Sequence, residues 1–407
     1  MSNIPSFSQI IRFCFSYKFF PFIPFLAYVV LPASIQQMFV LGRDSPYPFF
    51  LFEFFIFLFL LICLGKKQIN RNAPDLLVPI IIYLLIAILS TVANDISRLL
   101  IGLRYHLDFI LYAFLFRYVV YNKTEVSIVL LICKILILFL AAQLVLMQLG
   151  IITIAVEYSN VLFRGSSTAG APNATGHILY LLCVVTLAET ENKYIKFLIY
   201  LITGMAIFFT LCRGAILAFL LFVVGSILIY ERHSKFVTKV STIVFFIVLA
   251  LTLNHYFHFT EVLEERQEQS LAYSNDDYSA GRFERWQQVL ITLKNDGAFI
   301  LGEGMGITPM NKGELYYLDG TSSETKFSPH NVYLGVLAET GIITLFIFLL
   351  ILLKTAKRFS YIDKYLFIGI VIFYGVSFMT EVTTYTQNYA VLIWFAYYNL
   401  GGRKIQQ

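Results

Sequence analysis

The junction Ser328-Pro329-His330-Asn331 places a histidine where a long polar stretch meets an apolar segment, and a set of scattered arginines accompanies it. A neutral imidazole accepts a proton from a hydroxyl near neutral pH. A guanidinium presents a rigid fork of donors that matches phosphate oxygens and stays charged beside lipid. Arg164 lies in Phe163-Arg164-Gly165-Ser166-Ser167 and Arg213 in Leu211-Cys212-Arg213-Gly214-Ala215. Arg282 and Arg285 lie in Arg282-Phe283-Glu284-Arg285-Trp286. Several arginines converging on one membrane-surface site would suit a lipid-linked diphosphate. Each residue also has a plainer reading. Arg164 and Arg285 read equally as loop charges, and Glu284 as the partner of a neighbouring arginine. His330 reads as a helix start, with Ser328 as N-cap and Pro329 at the first helical position.

A second tier is less specific. Glu381 and the run Thr383-Thr384-Tyr385-Thr386-Gln387-Asn388 would line a sugar site or cap two helices. Asp108, Arg117 and Lys134 fall within apolar windows, where an ionisable group is a functional hypothesis by default. They would equally hold helices together. No GxxxxGK[ST] or HExxH pattern occurs, which removes the usual ATP and zinc-hydrolase signatures. The five cysteines, Cys14, Cys63, Cys133, Cys183 and Cys212, form no CxxC pair and none lies in the long polar loop. That pattern supports neither a zinc site nor a disulfide framework.

These residues must be positioned by a membrane. Of 407 residues, 58% are hydrophobic and only 14% charged, whereas a soluble domain is nearer a quarter charged. The formal charge of +5 is no argument for nucleic acid, since no basic run with interleaved aromatics accompanies it. The N-terminus lacks a cleavable signal pattern, so its first apolar segment reads as retained. Apolar windows near 19–41, 47–65, 74–93, 100–120, 127–148, 174–190, 195–211, 213–230, 238–256, 331–353, 365–381 and 387–400 predict about twelve spans. Arg213-Gly214 marks a turn between two of them. With a cytoplasmic N-terminus, 17 basic residues fall on the cytoplasmic side and five in or near short external connections. That bias sets the topology, with both termini cytoplasmic. The expected organisation is one membrane domain over 1–407, all-α, with an external loop over 257–328 between spans nine and ten. This loop carries 12 acidic and 6 basic residues. Helical pieces are expected at Glu261–Ala272 and Arg282–Leu293, before the glycine-rich Gly302-Glu303-Gly304-Met305-Gly306.

Taken in order, these segments resemble the bacterial O-antigen ligases and O-antigen or exopolysaccharide polymerases. His330-Asn331, nine residues and then Gly341 is similar to that family's His-Asn…Gly signature. Arg213-Gly214-Ala215 is similar to its Ser-Arg-Gly-Ala turn, with Cys212 in place of the serine. Arg282-x-x-x-Trp286 followed by Gly302-x-Gly304-x-Gly306 resembles its loop pattern, and Pro172-Asn173-x-x-Gly176 the start of its sixth span. Arg164 to Gly176 and Arg285 to Gly297 each enclose eleven residues, one more than the polymerase spacing.

The resemblance implies a GT-C-type fold and an inverting, metal-independent glycosyl transfer with no cofactor, on the periplasmic face of the inner membrane. The implied donor is a glycan on undecaprenyl diphosphate, and the acceptor a second glycan or lipid A-core. Membrane lipids, a chain-length regulator and a flippase are candidate partners. Carried over, Arg213, Arg282 and Arg285, with Arg164 in addition, would hold the diphosphate. His330 would assist the acceptor hydroxyl, with Asn331, Tyr333 and Glu381 as acceptor-site candidates. The absence of a DxD-like external carboxylate pair accords with arginines neutralising the leaving group. Polymerase is the first reading, on the Gly102-Leu103-Arg104-Tyr105 start of the fourth span, and ligase the second. A transporter or flippase is the alternative from a different class, but no internal repeat or mid-membrane polar cluster supports it.

Overall fold

The computed structural model describes residues 5–31, 40–41, 49–50, 59–61, 75–152, 172–230, 282–307, 314–316, 322–324, 330–380 and 386–400. They form a helical membrane fold. In chain order the helices are α1 (Phe7–Cys14), α2 (Ile23–Val30), α3 (Leu77–Asn94), α4 (Leu99–Tyr118), α5 (Lys123–Gln148) and α6 (Pro172–Ala188). They continue with α7 (Lys193–Thr210), α8 (Arg213–Tyr230), α9 (Arg282–Asn295), α10 (Val332–Ile362), α11 (Lys364–Ile372) and α12 (Thr386–Asn399). Four of these, α3, α5, α7 and α10, are long and apolar enough to cross a membrane, and α1–α2 makes a fifth if its bend counts as one span. The span expected at 238–256, the helical piece at Glu261–Ala272 and Arg164 lie outside the described residues, and the span expected at 47–65 is described only at 49–50 and 59–61.

Two expectations near the N-terminus change. The helix described within the expected 19–41 segment ends at Val30, and a separate helix, Phe7–Cys14, precedes it across a 76° bend at Phe15 and Ser16. Val40–Leu41 and Phe49–Phe50 pair as a short antiparallel ribbon where helix was expected. A second ribbon joins Glu314–Tyr316 to Ser322–Glu324 in the polar loop. Pro32, Pro46 and Pro48 flank the first ribbon; proline cannot donate to a continuing helix ladder, and hydropathy alone does not register this.

Helices α5, α6 and α7 pack on one another, α12 lies along α4, and α10 along α3. Short connections fix the helix ends. Asn122 and Glu125 form a reciprocal capping box at the start of α5, and Asn192 caps α7. At the same end of the bundle, Arg117 makes a bidentate pair with Asp75 at 2.8 and 2.7 Å. Lys18 pairs with Glu125 at 2.8 Å. Arg117, a candidate intramembrane charge in the sequence, is thus an end-of-helix clasp. The opposite end, called upper here, carries the α3–α4 connection, the α7–α8 turn and the chain between α9 and α10.

Helix α10 holds the main departure from expectation. Its ladder is interrupted at Gly341, whose φ of 80° and ψ of 178° are non-helical. In an unbroken helix Tyr333 and Phe348 would stand roughly 22 Å apart along the axis. Their ring centroids are instead 6.3 Å apart. The chain therefore reverses at Gly341. Residues Val332–Thr340 form a short arm folded back beside the span that follows, so the span expected at 331–353 begins only after Gly341.

Candidate functional site

The arm starts at Asn331, whose side chain accepts from the backbone N–H of Tyr333 and Leu334. Asn331 is the cap, not Ser328, and Val332 is the first helical residue, not Pro329. An asparagine carbonyl satisfies two of the orphan donors at a helix start. His330 immediately precedes this cap, half-buried and with φ of 47°. Histidine tolerates the left-handed region better than most residues, but the conformation is uncommon enough to mark a constrained position. The arm is held on both faces. Val332 and Val336 face an apolar cavity shared with Tyr83, His106, Phe348 and Phe378. On its other side Leu337 and Ala338 join Val289 and Leu293 of α9 in a second small core.

Tyr333 is fixed by its ring and its hydroxyl. The ring packs edge-on against both Phe348 and Phe378, and the hydroxyl donates to the Tyr374 carbonyl at 2.6 Å. Tyr374 belongs to a π-helical turn, Phe373–Ser377, that continues α11. A π-turn widens the ladder and turns carbonyls away from their usual partners.

The glycine-rich segment is a backbone strap across the upper end. Glu303 N donates to Ala338 O at 2.7 Å, Gly304 N to Glu339 O at 3.0 Å and Ile342 N to Phe299 O at 3.0 Å. On the other side Asn94 donates to Gly302 O at 2.9 Å, and Met305 N to the Thr91 hydroxyl at 2.8 Å. A Cβ on Gly302, where φ is 76°, would press into the backbone of Glu339 and Thr340. A Cβ on Gly102 would press into Met305 and Gly306. The glycine spacing read as a motif thus serves close backbone approach among α3, α4 and the arm.

Arg213 is exposed and is the first residue of α8. The turn before it is Leu211-Cys212, with Leu211 in the left-handed region at φ of 50°, two residues earlier than the sequence suggested. This turn packs on the start of α6, where a Cβ on Gly176 would meet Ala215, Thr210 and Cys212. Cys212 Sγ lies 3.9 Å from His177 Nε2, both buried. Two of the spaced motifs, Pro172-Asn173-x-x-Gly176 and Arg213-Gly214-Ala215, are therefore packed together. Arg282 and Arg285 lie in the first turn of α9, the helix that packs on the arm, and their side chains lie outside the described residues. The same holds for the Asp108 side chain and for Glu381. Lys134 is half-buried in α5.

Sequence reasoning passed over a buried trio. Tyr83, His106 and Glu339 are 6%, 9% and 1% exposed and joined by two hydrogen bonds of 2.6 Å. An ionisable residue within an apolar window was the available signal for Glu339, and it went unused because the window was read as one straight span. Glu303, in the glycine strap, is another. Burial first, and then nearby Asp296, hold its carboxyl above the usual range, with Arg98 opposing them. A carboxyl raised in the folded state costs stability once it ionises, so stability falls as pH rises from its unfolded value through its folded one. Glu303→Gln should therefore raise the melting temperature at pH 8, by a shift on the order of 1 °C, and leave it unchanged at pH 4. Thermal unfolding in detergent at both pH values checks this, and an equal shift at both would refute it.

Among the described residues no group of three or more histidine, cysteine or acidic side chains gathers as a metal site. Residues 198–349 match the family model described as O-antigen ligase. No curated protein matches the chain.

Proposed function

We propose, from the O-antigen ligase and polymerase family that the match over residues 198–349 supports, that this chain is an inner-membrane glycosyltransferase. In this reading it joins undecaprenyl-diphosphate-linked repeat units into O-antigen or exopolysaccharide on the periplasmic face. The observation that carries the reading is the composition of the matched segment. It spans the Arg213 turn, the α9 helix with Arg282 and Arg285, the glycine strap and the arm that begins behind His330.

The reaction asked of these groups is a displacement. The acceptor sugar hydroxyl attacks the anomeric carbon of the donor glycan from the face opposite the diphosphate, with inversion. A carbon–oxygen bond forms to the acceptor as the bond to the diphosphate oxygen breaks. The hydroxyl proton passes to the His330 imidazole, and the leaving undecaprenyl diphosphate takes its charge to Arg213 and the α9 arginines, joined by Arg164. Oriented guanidinium donors at a membrane surface stabilise that charge where it develops. Asn331 and Tyr333 hold the arm from which His330 extends, and Glu381 is the remaining acceptor-side candidate. The membrane part, 1–407, is one domain in this account, with 257–328 as its external insertion.

The ligase reading, transfer of finished glycan to lipid A-core, uses the same donor and rests on the same match, whose description is that of a ligase. Deleting the gene separates the two. A surface glycan reduced to one repeat on core is expected for a polymerase. Long chains stranded on undecaprenyl diphosphate would contradict that assignment in favour of the ligase.

A further inference from the structure

The Tyr83–His106–Glu339 trio takes no part in the proposed transfer, yet it joins α3, α4 and the arm. Tyr83 of α3 bonds His106 Nδ1 of α4 at 2.6 Å, and His106 Nε2 bonds Glu339 Oε2 of the arm at 2.6 Å. The Glu339 carbonyl, in turn, accepts from the Ser90 hydroxyl at 3.1 Å and from Gly304 N at 3.0 Å. One residue thereby binds α3, α4, the glycine strap and the arm, two positions before the reversal at Gly341.

Apolar side chains would pack the same space at no desolvation cost, so the trio is a poor way simply to stabilise a bundle. What it supplies is direction. Elsewhere among the described residues the arm has two directional bonds, Tyr333 to the Tyr374 carbonyl and Glu303 N to the Ala338 carbonyl, while Val332 and Val336 on one face and Leu337 and Ala338 on the other pack without direction. Its link to the span is a single glycine. Hydrogen bonds of fixed length and angle are what would set the arm's orientation about that link. The chain of bonds is complete with the imidazole proton on either nitrogen, since tyrosine and carboxyl can each donate or accept in turn. It therefore holds without requiring a buried charge.

We propose that Tyr83, His106 and Glu339 are positioning residues that set the angle of the Val332–Thr340 arm and through it the location of His330. The proposal rests on the reading of His330 as the acceptor-side group. Hydrogen exchange of the purified protein in lipid nanodiscs, combined with transfer kinetics, tests it. In Glu339→Ala, amides of Val332–Thr340 should exchange at least ten-fold faster, while those of α5–α7 are unchanged. The turnover number should fall at least ten-fold, with the donor KM within two-fold of wild type. Glu339→Gln, whose amide oxygen still accepts from His106 Nε2, should recover most of both. Unchanged arm exchange in Glu339→Ala, or a glutamine variant as defective as alanine, would overturn the proposal. If Glu339→Ala fails to accumulate, Tyr83→Phe removes one oxygen only and should speed arm exchange about three-fold; no increase would overturn it. Faster arm exchange in Glu339→Ala, with wild-type protein transferring no glycan, would uphold the positioning role and overturn the transferase reading instead.

Discussion

Gly341→Ala should cost more than any other single-methyl addition in the described structure. The φ of 80° and ψ of 178° at this residue lie in a region that side chains essentially exclude, at a strain of about 1–3 kcal/mol. Strain is only part of it. The new Cβ would fall well inside contact distance of the Ile300 carbonyl and the Leu301 backbone, and neither can yield cheaply. Phe299 accepts from Ile342 N on one side, while Glu303 and Gly304 are bonded to the arm on the other. Relief requires opening the strap or straightening the arm, and either displaces His330. The expected result is loss of polymer by two orders of magnitude or more, with reduced but detectable protein. Gly297→Ala is the control. Its φ is 67° but nothing lies within 4 Å of the added carbon, so it carries the conformational cost alone, about 1–2 kcal/mol. Protein abundance, melting temperature and glycan length are the measurements. A Gly341→Ala protein as stable and active as Gly297→Ala would show that the reversal is dispensable.

His330→Ala and Arg213→Ala should each abolish glycan extension while the protein remains inserted and abundant. General-base assistance contributes typically about 10²–10⁴-fold, and removing one charge-stabilising donor about 10²–10³-fold. Neither side chain belongs to the core: Arg213 is exposed and His330 half-buried. Their loss should accordingly be felt in turnover rather than folding. Because His330 sits at φ of 47°, alanine there adds a backbone cost that histidine tolerates better. His330→Asn, which suits that conformation, separates the two effects and should be as inactive as alanine. If both alanine variants kept normal polysaccharide ladders on a gel, the assignment of these residues would be wrong.

How far the sequence led differs from element to element. The pair of helices at Lys193–Thr210 and Arg213–Tyr230 was legible because the 36-residue, largely apolar stretch 195–230 exceeds one crossing and Arg213 interrupts it. The α9 helix was legible from Arg282 onwards because its apolar residues recur at helical spacing, and it runs two residues beyond the expected end. The packing of Gly176 on the Cys212 turn gives physical content to two motifs that hydropathy leaves unconnected.

The reversal at Gly341 was not legible. Glycine within an apolar run is commonplace, and only the approach of the Ile300 backbone, 41 residues earlier in the chain, shows why no side chain fits. The arm's cap was misassigned for a related reason. Ser328-Pro329 carries the usual helix-start chemistry, yet Asn331 offers it too, and the bend at His330 decides between them. Tyr83, His106 and Glu339 are individually unremarkable in sequence, and their meaning comes from two contacts across 23 and 233 positions. Local pattern carries the helices here; long-range backbone contacts build the site.

The most direct test of the account is transfer by the purified protein in nanodiscs, given a synthetic undecaprenyl-diphosphate-linked repeat unit and excess chelator. Lipid-linked products of two or more repeats should accumulate, with undecaprenyl diphosphate released, and His330→Asn should form none. No lengthening by the wild-type protein, or lengthening that His330→Asn sustains, would contradict a glycosyl transfer centred on the arm.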